Sequence, residues 1–155
     1  MSDTRQNLRI NPVTGAGVGT TLGADAPLVR GDPQPIQTFA AAHTNNFGVP
    51  DPTRMSQLFV IDAEANSLEL QDAGALVLRG RLSTGVSPVR FTGAGEFDIS
   101  GGDNGLALAA LQPTGSMQSN LYRIDLATGL ATQVGMMPIG PAGTQPLVGL
   151  TIVLR

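Results

Sequence analysis

Few side chains in this chain could do acid–base or metal chemistry. His43 is the single histidine. It closes the run Ala40-Ala41-Ala42-His43, just before a polar turn cluster that begins at Asn45-Asn46. One histidine excludes a His-rich metal site and any relay that needs a second, and at the end of a small-residue strand it reads as a structural or rim histidine. A serine nucleophile would need a strained turn, and no Gly-x-Ser-x-Gly occurs. Glu64, Glu69 and Glu96 could pair as the two carboxylates of a glycoside hydrolase, but spacing alone brings no two of them within reach. Asp98, Asp103 and Asn104 around Gly101-Gly102 outline an oxygen-rich loop that would suit calcium. The ligand spacing of an EF-hand is missing, and a hairpin turn is the better reading. Gly15-Ala16-Gly17-Val18-Gly19 and Gly93-Ala94-Gly95 open no helix, so phosphate-cradling fingerprints do not apply. The expectation is a chain with no catalytic, cofactor-binding or metal-binding residue to assign, and no cofactor.

Composition narrows the classes further. Of 155 residues, 14% are charged, about half the usual share. All nine basic residues are Arg, spread singly against twelve acidic ones for a net charge of -3, which is no footprint for nucleic acid. Aromatics are 4% with no Trp, a poor platform for stacking sugars or bases. Cys is absent, which removes disulfides, thiolate metal sites and a Cys nucleophile. No apolar run is long enough to span a membrane as a helix, and the polar start Met1-Ser2-Asp3-Thr4-Arg5-Gln6-Asn7 has no signal-peptide core. Length and the 41% apolar fraction suit one globular domain over residues 1–155.

The elements that would position any site are short strands. Twenty Gly and eleven Pro punctuate the chain and favour turns over helices. The clearest unit is residues 121–135, two strands joined by Asp125-Leu126-Ala127-Thr128-Gly129. Period two puts Tyr122, Ile124 and Leu126 on one face, a carboxylate at Asp125 caps the turn, and Gly129 supplies positive φ. Residues 6–20 repeat the pattern, with Asn11 at the place of Asp125, Thr14-Gly15 at Thr128-Gly129, and Leu8 and Ile10 at Tyr122 and Ile124. Residues 57–62 give another copy, with Asp62 as the acceptor and Asn66, which tolerates left-handed backbone, where Gly129 sits. Asn11, Asp62 and Asp125 are therefore turn acceptors first.

Between the copies, residues 36–43, 68–70, 75–82, 96–100, 106–111 and 147–154 read as strands, and residues 21–35 as loop. Gly101-Gly102-Asp103-Asn104-Gly105 is a hairpin turn. Helix is the alternative for residues 40–43 and 106–111, but pieces so short make weak helices. One of the two strands over residues 68–82 reads as an insertion.

The acceptors recur about 50 and about 60 residues apart, somewhat longer than a regular propeller blade. The expected fold is all-β, with about three propeller-like antiparallel blades of which the first and last are incomplete. A closing apolar strand over residues 147–154 leaves an unpaired edge. It could complete the hairpin of residues 7–20 in a neighbouring copy, as a ring or a filament. The function expected is a non-enzymatic, self-associating structural or interaction module. The alternative is a propeller hydrolase or lactonase with a channel or rim site.

Residues 121–135 resemble an uncharacterised family of exported bacterial repeat proteins whose copies read LY-x-ID-x-ATG-x-AT-x-VG. Residues 2–12, Ala42-His43-Thr44-Asn45-Asn46 and Gly95-Glu96-Phe97-Asp98-Ile99-Ser100 look like the same family. The resemblance implies a propeller-like fold, an extracellular or periplasmic location and a match to the C-terminal part of a longer domain, and it supplies no activity. That family tends to have Tyr where this chain has His43, which argues against essential chemistry at His43.

Overall fold

A computed structural model describes residues 5–18, 25–47, 53–85, 88–101, 105–134, 147 and 149–153. The protein is all-β, and the described residues contain no helix. Among the described residues nine strands form two sheets: β1 (Val29–Arg30), β2 (Thr38–His43), β3 (Leu58–Asp62), β4 (Ser67–Asp72) and β5 (Ala75–Arg81) in the first, and β6 (Phe91–Ile99), β7 (Ala107–Pro113), β8 (Asn120–Ile124) and β9 (Ala131–Gln133) in the second. Strands β2 to β5 and β6 to β9 are each an antiparallel four-stranded meander, and β1 adds in parallel to the outer edge of β5.

Alternation decides which face each strand buries. Phe59, Ile61 and Leu68 of the first sheet meet Phe91, Phe97, Ile99, Ala109, Leu111, Tyr122 and Ile124 of the second in one shared core. Phe91 and Tyr122 pack edge to face there, with ring centroids 5.2 Å apart. The small residues Ala40, Ala42, Ala107 and Ala109 let the sheets approach closely. The Ala-rich runs are strands, not helices, because each pairs along its length with a neighbour. The other face of the first sheet is covered by the segment 25–37, whose Leu28 and Ile36 pack on Val60 and Leu76.

Four expectations change. The described part of the pair expected over residues 6–20 forms no strand, only isolated bridge positions such as Ile10 with Gly17. The pair β4 and β5 is no insertion: β5 is the fourth strand of its meander, so the Asp62 turn joins second and third strands while the Asp125 turn joins third and fourth. The loop read over residues 21–35 contains β1. Residues 147 and 149–153 form no strand. Two of their amides are taken by side chains: Leu147 N–H donates to Ser119 Oγ at 3.1 Å and Ile152 N–H to Asp98 Oδ2 at 2.6 Å.

Candidate functional site

Asn11, Asp62 and Asp125 each accept backbone N–H groups at a turn. Asp125 Oδ1 accepts from the N–H groups of Ala127 (2.9 Å) and Thr128 (3.0 Å), and Gly129 N–H returns to the Asp125 carbonyl at 2.9 Å. Asn11 Oδ1 accepts from Val13 (2.8 Å) and Thr14 (3.1 Å), and Gly15 N–H returns to the Asn11 carbonyl at 2.8 Å. Gly129 and Gly15 have φ of 73° and 69°. The two loops are copies, bond for bond. The N–H bonds from Ala127 and Thr128 hold the Asp125 carboxyl below its ordinary range.

Asp62 does more than close a turn. Its Oδ1 accepts from Ala65 N–H at 2.7 Å, and Asn66 takes the left-handed conformation (φ 49°) expected of it. Its Oδ2 accepts from Gln37 N–H at 2.6 Å and lies 3.0 Å from Arg30 Nη2. Arg30 also reaches Glu69, by Nη2 to Oε2 at 3.2 Å and by Nε to Oε1 at 3.0 Å, the latter an ion contact without hydrogen-bond alignment. Ser67 Oγ donates to Glu69 Oε1 at 2.7 Å. The Arg30 side chain is only 7% exposed, and Asp62 and Glu69 are sealed. Burial works against the guanidinium's charge, but Glu69 and Asp62 outweigh it and raise the Arg30 pKa above its ordinary value. Neither carboxylate opens onto a cavity among those found between described residues. The cluster is a buried tie between β1, β3 and β4. Arg30 escaped notice in the sequence because nothing near it in the chain announces a partner.

His43 is exposed at the end of β2, with Nδ1 3.1 Å from Ser56 Oγ. Ser56 Oγ donates to the Thr44 carbonyl at 2.8 Å. With that proton on the Thr44 carbonyl, the bond between Ser56 and His43 takes the Nδ1–H tautomer. His43 lines a groove of about 650 Å³ together with Leu58, Gln71, Leu8, Arg9 and Asp25. Arg9 and Asp25 close a two-bond ion pair there, Nε to Oδ2 and Nη2 to Oδ1, both 2.7 Å. The bond to Asp25 raises the Arg9 pKa, and the bond from Arg9 lowers that of Asp25.

The remaining candidates are not brought together. Glu64 is the exposed residue of an otherwise buried turn after β3, Glu69 is held by Arg30, and Glu96 lies on β6 of the other sheet. Asp98 accepts from the backbone of Ile99 and Ile152. Asp103 and Asn104 lie outside the described residues. Among the described residues no three His, Asp or Glu side chains group as metal ligands, and no helix is long and apolar enough to cross a membrane.

These features define an all-β protein of two packed meanders, with a repeated Asx-capped turn and a buried Arg–carboxylate tie. The chain belongs to the family described as a domain of unknown function, DUF4394, whose family model matches residues 1–151. A search of the curated proteins found no match. A search of the solved structures found none either.

Proposed function

We propose that this chain is a non-enzymatic structural module of propeller type, which associates with further copies of itself through its ends. One observation carries the reading. Leu8 and Ile10 stand at the positions of Tyr122 and Ile124 in the copied hairpin, yet they are 43% and 58% exposed where Tyr122 and Ile124 are each 3% exposed. The N-terminal hairpin has the design of a sheet-bound hairpin and a bare apolar face. Exposed apolar strands of this kind favour association. Each four-stranded meander has the shape of a blade, and the hairpin at one end with the segment at the other supply parts of a further one. The exported location implied by the family resemblance belongs to the same reading. Size-exclusion chromatography with light scattering at micromolar concentration tests it: an oligomer is expected, and a monodisperse monomer overturns it.

The groove beside His43 favours a second reading, a hydrolase or lactonase with a rim site. Turnover of ester or lactone substrates that disappears in His43→Ala would establish it in place of the first.

A further inference from the structure

Resting on the self-association reading, we propose that the groove between the N-terminal hairpin and the first sheet is a strand-docking site, and that its occupant is residues 147–154 of a second copy. The first argument is the direction of backbone groups. The carbonyls of Arg5, Asn7 and Arg9 accept from Leu28 (3.0 Å), Asp25 (2.9 Å) and Val18 (2.9 Å). In a strand, alternate residues aim their N–H and C=O to opposite edges. Leu8 and Ile10 therefore aim theirs the other way, and among the described residues no hydrogen bond reaches them.

The second argument is the internal template. Tyr122, the counterpart of Leu8, spends that same edge on β7, where it pairs with Ala109. The hairpin β8–β9 thus shows what the N-terminal hairpin is built to receive: a strand of small or apolar residues along one edge, with the core face covered at the same time.

Charge completes the match. The charged residues lining the groove, Arg9 and Asp25, neutralise each other, and its other lining includes Leu8, Leu58, His43 and Gln71. The segment Leu147-Val148-Gly149-Leu150-Thr151-Ile152-Val153-Leu154 carries no charge and is apolar at alternate positions. Its described residues belong to no strand of their own chain, and two side-chain bonds, to Ser119 and Asp98, tether it there. Apart from those two amides, its backbone can pair with a neighbour as an added strand.

The chain has no cysteine, so engineered pairs report cleanly. Leu8→Cys combined with Leu150→Cys, and separately with Ile152→Cys, sets Leu8 against the two central positions of the apolar face formed by Val148, Leu150, Ile152 and Leu154. Mild oxidation of the folded full chain is expected to give a disulfide between copies in one of the two, seen on non-reducing gels and diminished by an excess of the Cys-free parent chain. If the chain oligomerises but neither pair cross-links between copies, or if the disulfide forms within one chain, the docking site is wrong while self-association stands. If the chain is a monomer, both fall. Leu8→Asp guards against a folding artefact: because Leu8 is exposed in the single copy, the variant keeps its circular dichroism and is expected to lose at least tenfold in association. Unchanged association in Leu8→Asp overturns the site.

Discussion

Arg30 Nη2, on β1 within the covering segment 25–37, stands 3.0 Å from Asp62 Oδ2, and this pair joins β1 to β3. Removing the cation leaves two buried carboxylates, Asp62 and Glu69, with only N–H and hydroxyl partners. Arg30→Met is expected to cost about 3–5 kcal/mol. Adding Asp62→Asn and Glu69→Gln to that variant should recover part of the loss, because the uncompensated charge is gone. Chemical denaturation checks both; a single variant no worse than a surface substitution sinks the claim.

The two glycines of the copied turns separate backbone strain from crowding. A Cβ on Gly15 meets nothing within 4 Å, whereas one on Gly129 comes within 2.9 Å of the Gly80 carbonyl oxygen. Left-handed backbone alone costs an alanine about 1–2 kcal/mol. Gly15→Ala should lose about that, and Gly129→Ala more, since the end of β5 must move as well. Equal losses in thermal unfolding would show that the two sheets do not meet rigidly at this turn.

Acid distinguishes the same two turns. The Asp125 carboxyl is held below its ordinary value by the Ala127 and Thr128 amides, so it contributes stability above its unfolded-state pKa of about 4. That contribution is lost as pH falls through the lower folded value. Asn11 does not titrate. Below about pH 4, Gly129 N–H should therefore lose exchange protection while Gly15 N–H keeps its own, and Asp125→Asn should abolish the difference. Loss at both amides together would mean global unfolding, and the turn would not be the acid-sensitive element.

What the sequence made legible was local. The turn chemistry at Asn11 and Asp125, the left-handed Asn66 and the alternation of Phe97 and Ile99 are each decided by a few neighbouring residues, and they hold. Where a turn sits within its meander is decided by tertiary pairing, so the Asp62 and Asp125 turns looked equivalent although they join different strands. The same limit hid the tie from Arg30 to Asp62 and Glu69, which spans three strands. It also made residues 147–154 read as a strand, because apolar alternation states a preference for pairing and not the presence of a partner.

The last consequence concerns that segment. Ile152 N–H is held by Asp98 Oδ2 at 2.6 Å, a bond from β6 across more than fifty residues of sequence to an amide outside any strand. A hydrogen bond to a charged acceptor contributes about 1.5–3 kcal/mol where it is shielded from water, but here it fixes only a short tether, so the global stability should barely move when it is removed. Asp98→Ala is expected to speed exchange at Ile152 by at least tenfold with the core amides of β7 and β8 unchanged, and Asp98→Asn, which keeps an acceptor, should retain part of the protection. On the proposed docking of residues 147–154 onto a neighbour, the alanine variant should also weaken self-association. Exchange at Ile152 that is as fast in the parent chain as in Asp98→Ala would show that the tether does not hold in solution.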